Sequence, residues 1–183
     1  MLVKTHARIT DPDQIDISWE MYEQAFRDLN RMAVQRHLMH RSEFEEVMRD
    51  QRVTKYLCLD DDGTLLGMST FTNELDAVPL IAPEYFEYHW PDLYATRRIW
   101  YIGFLAVHPD AQGRRAFAQL AEQMYLVAAA QDGLVGLDLC NHNNDVRHMS
   151  RVLRIMAQRL GRSSLDLIDQ QSYWLYRFGA AAA

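Results

Sequence analysis

The sequence predicts a mixed α/β domain built around one central sheet. Three observations carry this. Two alternating apolar runs flank a DDDG turn, which is a hairpin signal. The run IWYIGFLAV is almost continuously apolar, as expected of a strand buried on both faces. Segments of helical periodicity are interleaved with these strands. At 183 residues the chain is long enough to bury a full core, so one domain over residues 1–178 is expected, with the closing GAAAA at 179–183 as a tail outside it.

In chain order, residues 2–9 (LVKTHARI) alternate loosely and predict a first strand. Ser18 is a candidate N-cap for a helix carrying Trp19, Tyr22, Phe26 and Leu29 at helical spacing. MAVQRHLMHR has helical propensity but no clean apolar face. Ser42 and Glu45 form a capping-box pattern that starts a second helix. The hairpin follows, then a proline- and aromatic-rich insert with one short helix at 85–89. After IWYIGFLAV, residues Ala116, Leu120, Met124 and Val127 mark a third helix that ends before Asp132 and Gly133. LVGLDLC reads as another central strand and NHNND as a capping turn. A fourth helix runs from Val146 to Leu160 and is closed by Gly161. SLDLIDQQSYWLYRF predicts one or two terminal strands.

Composition narrows the function. A net charge of −6 and a pI near 5.6 argue against a general nucleic-acid binder, which needs a basic footprint. The two cysteines, Cys58 and Cys140, lack metal-ligand spacing, so no metal site is expected, and they fit a reducing cytoplasm. No apolar run approaches membrane-spanning length and no signal-peptide pattern opens the chain, so a cytoplasmic protein without a membrane partner is expected.

The stretch LAVHPDAQGRRAFAQL passes from the apolar strand through a polar turn into a helix. Such a turn can present successive backbone N–H groups to an anion, aided by the helix dipole. With Val107, Pro109, Gln112 and Gly113 in place, the element order and this turn resemble the GNAT superfamily of acyl-CoA-dependent acyltransferases. The resemblance implies a sheet whose two central strands splay, flanked by about four helices. It also implies a pantetheine arm along Phe104, Leu105, Ala106 and Val107, with Leu105 or Ala106 offering a backbone donor to the thioester carbonyl. The diphosphate would lie against Gln112, Gly113, Arg114, Arg115, Ala116 and Phe117, and Asn144 is a further candidate contact. Arg115 and Phe117 depart from the family, which has small residues there. So does Ala157, where many relatives carry a tyrosine acid.

Acyl transfer to an amine needs a group to take the amine proton, a donor for the developing oxyanion and a proton for the thiolate. His142 and Cys140 lie just past the second central strand. Glu74, following the hairpin, could bind or deprotonate an amine directly or through water, and Tyr101 is another candidate. The resulting expectation is an acyltransferase moving an acetyl or longer acyl group from acetyl-CoA, or another acyl-CoA, to a small-molecule amine by direct attack. Two alternatives stay open: a donor carried as acyl-phosphopantetheine on an acyl carrier protein, which the paired arginines would suit, or otherwise altered thioester chemistry on the same fold; and a non-catalytic binding module of that fold. A homodimer contact is a further option for the aromatic insert.

Overall fold

A computed structural model describes residues 1–79, 81–111, 115–161 and 163–179. Five strands form one sheet in the order β1-β2-β3-β4-β5. They are β1 (Leu2–His6), β2 (Thr54–Leu59), β3 (Leu65–Thr72), β4 (Ile99–Val107) and β5 (Leu134–Gly136). The first four pair antiparallel, and β5 joins β4 in parallel after a helical crossover. Among the described residues seven α-helices surround the sheet: α1 (Pro12–Phe26), α2 (Leu29–Met32), α3 (Arg41–Arg49), α4 (Pro83–His89), α5 (Pro91–Ala95), α6 (Ala116–Ala129) and α7 (Met149–Leu160).

Each face of the sheet is closed by helices because β2, β3 and β4 are apolar on both sides. On one face α1 and α3 bury Ile15, Tyr22, Phe44 and Met48 against Leu57, Met68 and Phe104. On the other, α6 lays Ala116, Leu120, Met124 and Ala128 on Trp100, Ile102 and Phe71. Full burial of each large side chain is worth about 1.5–3 kcal/mol, so these two layers hold the sheet in place. Lys55 on β2 is also buried. Its ammonium donates to the carbonyls of Ala7 and Asp50, which ties the end of β1 to the end of α3, and burial lowers its pKa to about 8.

The hairpin forms as its turn residues dictate: Gly63 takes φ 83° and Asp60 N–H reaches the Thr64 carbonyl at 2.9 Å. Other boundaries move. The first helix starts at Pro12, not after Ser18, because proline at the first helical position presets the backbone and lacks only an N–H that would be unpaired. Helix α3 starts one residue before Ser42, and Glu43 rather than Glu45 reaches back, accepting from the His40 N–H at 2.6 Å. The aromatic insert holds two short helices, α4 and α5, each opened by a proline. Residues 163–179 carry no strand, in contrast to the terminal strands that their alternation predicts. LVGLDLC is paired only over its first three residues.

That short pairing follows from an irregularity in β4. Phe71 stands opposite Ile102 and Thr70 opposite Phe104, so Gly103 is an extra residue with no partner on β3. The bulged backbone is served by β3 side chains: Phe104 N–H donates to Thr70 Oγ1 at 3.2 Å, and Ser69 Oγ donates to the Phe104 carbonyl at 2.6 Å. A Cβ at position 103 would stand 2.7 Å from Thr70 Oγ1. Gly103→Ala is therefore expected to destabilise the fold by about 1–3 kcal/mol through overpacking. Urea unfolding of the variant beside the wild type measures this, and an unchanged midpoint would contradict the account.

Candidate active site

The bulge and the short β5 together create a wedge. Strands β4 and β5 pair from Ile99–Leu134 as far as Tyr101–Gly136, while β4 continues to Val107. Strand geometry then decides which backbone groups face the opening. The N–H groups of Phe104 and His108 are bonded on the β3 side, the latter to the Leu66 carbonyl at 2.8 Å. Because main-chain direction alternates along a strand, the N–H groups of Leu105 and Val107 point away from β3, into the wedge. Of the two expected donors this favours Leu105 over Ala106. The Phe104 and Ala106 side chains are buried in the α1–α3 core, so these residues can meet a ligand only through their main chain.

At the upper end of the wedge, α6 begins. Among the described residues, Gln119 N–H makes the first helical bond, to the Arg115 carbonyl, and no side chain caps the preceding amides. The first turn carries no acid. Exposed Arg115 adds a cation to this electropositive end. Arg115 sits at φ 64°, ψ 3°, a left-handed conformation that glycine tolerates and arginine adopts at a cost. Ala116 is buried beneath the helix and Phe117 is half-buried. Gln112, Gly113 and Arg114 lie outside the described residues.

Beside Tyr101 and Gly103, where the strands part, lies an open hollow of about 2340 Å³ between the sheet, the loop before α3, and residues 163–174. Tyr101, Cys140, His142 and Asn144 all border it. Tyr101 donates its hydroxyl to Asp138 Oδ1 at 3.2 Å. Burial, with the Asp138 charge and this hydrogen bond adding to it, pushes the phenol well above its ordinary pKa, so it stays protonated. Gly136 makes room for that ring, since a Cβ there would lie 2.8 Å from Tyr101 Cδ2. Cys140 is a free, half-buried thiol, and its carbonyl accepts from the Asn144 N–H at 3.0 Å in the π-helical turn His142–Val146. Asn144 Oδ1 is buried without a protein partner.

Glu74 is not brought to this hollow. It lines a separate cavity of about 240 Å³ at the start of β4, where Arg97 pairs with it. Three residues absent from the sequence reading border the hollow instead: His37, Tyr125 and Asp138. Burial raises the Tyr125 phenol to about 12 and lowers the His37 imidazole, the latter against the opposing pull of Asp138. Ala157, at the position of the family's usual acid, also borders the hollow.

The profile of the Acetyltransferase (GNAT) family matches residues 16–153. The chain belongs to that family. It is a GNAT enzyme, with transferase activity, built on the α/β fold that its relatives share. Solved structures agree in fold. The tetramutant of BH1408 protein from Bacillus halodurans superposes with a TM-score of 0.60 at 11% identity, covering 96% of this chain and 100% of that one. An aminoglycoside antibiotic 6'-N-acetyltransferase from Acinetobacter haemolyticus gives 0.53 at 13% identity, with 96% and 99% covered. An aminoglycoside acetyltransferase from an uncultured soil metagenomic sample, in complex with sisomicin, gives 0.53 at 12% identity, with 95% and 97% covered. No curated protein matches the chain by sequence. No helix among the described residues is long and apolar enough to cross a membrane, and no cluster of histidine, cysteine or acidic groups there could hold a metal.

Within this GNAT enzyme the turn before α6 yields two predictions. Arg115→Gly should stabilise the fold by about 1 kcal/mol by removing the left-handed arginine, read as a rise in the unfolding midpoint. Phe117→Ala should tighten coenzyme A binding about tenfold, or 1.4 kcal/mol, if the ring narrows the approach to the α6 amides. Calorimetric titration with coenzyme A measures it, and equal or weaker binding would clear Phe117 of that role.

Proposed function

We propose that this GNAT enzyme N-acylates a small-molecule primary amine, taking a short acyl group from acetyl-CoA by direct attack. One observation carries the reading. The wedge, with the Leu105 and Val107 N–H groups turned into it, stands between the start of α6, whose amides no described side chain caps, and the hollow bordered by Gly103, Tyr101 and Asp138. The residues present fit the donor. The amides of Ala116 and Phe117, with Arg115, suit a diphosphate. The Val107 main chain and the orphaned Asn144 Oδ1 suit the amide-rich pantetheine arm. When bound, acetyl-CoA supplies an activated acyl thioester.

The chain's own groups do the rest. The Leu105 N–H donates to the acyl carbonyl oxygen and strengthens as negative charge develops there. The exposed Asp138 carboxylate, held by the Tyr101 hydroxyl, attracts the ammonium form of the acceptor. An imidazole bordering the hollow takes the proton that makes the amine nucleophilic. Tyr125, protonated at neutral pH and without a protein partner among the described residues, is the donor to the departing sulfur in place of the missing tyrosine at Ala157. Among the described residues no hydrogen bond joins the Cys140 thiol to an imidazole, which favours direct attack over an acyl-cysteine route.

A second donor has its own support. Arg147, Arg151, Arg154 and Arg159 are all exposed around α7, a helix with no acidic residue, and Arg115 stands exposed at the start of α6. Such a cationic surface suits an acidic carrier protein bearing acyl-phosphopantetheine. Titration of the enzyme with acetyl-CoA and, separately, with an acetylated acyl carrier protein decides between the donors. Binding of neither would leave a non-catalytic module.

Tyr125→Phe is expected to lower kcat about 10²-fold with little change in acetyl-CoA affinity. Steady-state thiol release and calorimetry together test this. A loss of affinity with kcat intact would assign Tyr125 to binding instead.

A further inference from the structure

Sequence patterning leaves the stretch between α2 and α3 undecided, and the structure makes it an irregular loop, 33–40, along one wall of the hollow. Irregular backbone is ordinarily loose, yet this loop is tied down around a single residue. Asn30 Oδ1 accepts from the N–H groups of both His37 and Leu38 at 3.3 Å. The Tyr22 hydroxyl donates to the His37 carbonyl at 3.0 Å and accepts from the Met39 N–H at 3.1 Å. Arg36 forks onto the two oxygens of Glu43 at 2.6 and 2.8 Å. Tyr22 is itself fully buried in the aromatic layer with Phe44 and Phe104, so the clamp is anchored in the core beneath β4.

The side chain so positioned ends in Nε2, which is buried and has no hydrogen-bond partner among the described residues. A buried polar atom left unpaired carries a free-energy penalty and calls for a reason. His37 borders the same hollow as Tyr101 and Asp138, and the Asp138 charge reaches it. Burial outweighs that charge and disfavours a second proton on the ring, which leaves the imidazole neutral, with a lone pair free, at neutral pH. His142, the other imidazole bordering the hollow, sits in a one-turn π-helical stretch where no hydrogen bond to its side chain holds it, among the described residues.

We infer that His37 is the general base of this enzyme, its Nε2 taking the proton from the acceptor amine. This rests on the acyl-transfer reading given above. The balance is as follows: the ammonium loses one proton to His37 Nε2, and the freed amine nitrogen forms the C–N bond and sheds a second. The C–S bond breaks with a proton from Tyr125 going to sulfur; one of the two protons from nitrogen restores the Tyr125 hydroxyl and the other leaves to solvent, giving an amide and a free thiol. A positioned base contributes typically 10²–10⁴-fold. Asp138 is a positioning residue here, fixing the amine between its carboxylate and the imidazole.

Three measurements on the full chain test this. Calorimetry with acetyl-CoA, and with an acetylated acyl carrier protein, comes first. If the wild type binds neither acetyl-CoA nor an acetylated acyl carrier protein, the acyl-transfer reading fails and the assignment falls with it; if it binds either, that donor is used in the assays and only His37 is at issue. His37→Ala and His37→Gln are then compared with the wild type for thiol release from that donor, with spermidine and sisomicin as primary-amine probes. The expected result is a fall in kcat of about 10²-fold or more in both variants, unchanged donor affinity, and partial recovery of His37→Ala by added imidazole. Retention of kcat within a few-fold in either variant, or a loss in His37→Ala that imidazole does not repair, overturns the assignment. The third readout needs no turnover. In the ligand-free wild type, the His37 imidazole resonances should be those of a neutral ring at pH 7 and should move when spermidine is added. A ring protonated at that pH, or resonances indifferent to the amine, would equally overturn it.

Discussion

Two hydroxyls on β3 set the geometry on which the site depends. Ser69 and Thr70 bond the carbonyl and the N–H of Phe104, and so satisfy the backbone at a point where regular pairing is interrupted by Gly103. Without those partners a bulge in the middle of a buried sheet would leave polar groups unpaired, at a cost of about 1–3 kcal/mol each. With them, β4 can bend away from β5 and still remain part of the sheet. The parallel pairing then ends at Tyr101, and everything beyond it on β4 has a free edge inside the protein rather than at its rim.

That free edge links regions with different jobs. Above it, α6 presents amides that no described side chain caps, and a cation. Below it, side chains from β4, from the chain after β5, from α6 and from the loop before α3 meet around one hollow. The apolar layers on the two sheet faces are what allow this. Tyr22 serves both, since its ring packs in the α1–α3 core while its hydroxyl clamps the loop that carries His37. Packing and positioning are therefore not separable at that residue, and its loss would loosen the core and the loop together.

Much of this was legible in the residues themselves. The hairpin, the buried strand, α6 and α7 follow from periodicity and turn chemistry, and the turn after Val107 was enough to point to the family. What was not legible depended on tertiary placement. His37 sits in a row with helical propensity and no apolar face, and only the bonds from Asn30 and Tyr22 turn it into a fixed loop. Tyr125 follows Met124 on α6 and reads as one more helix residue, while Asp138 reads as an ordinary strand position. Glu74 shows the same dependence on placement. A carboxylate after a hairpin is a fair candidate in sequence, but the start of β4 brings Arg97 beside it, and the two pair in a small cavity next to the hollow. The terminal strands failed for a related reason: alternation promises a strand only where an edge is available, and residues 163–179 pair with none.

Those same residues have a quieter consequence. Where they pass over the hollow, the bonds that attach them to its walls are few, among them the Tyr85 hydroxyl to the Ile168 carbonyl and the Tyr173 hydroxyl to Gln35. Leu167, Trp174, Leu175 and Tyr176 expose most of their surface and contribute little to the central packing. The roof of the hollow is thus built from chain that the rest of the architecture scarcely needs. Substitutions there reshape what the hollow admits while the sheet, the wedge and the start of α6 stay as they are.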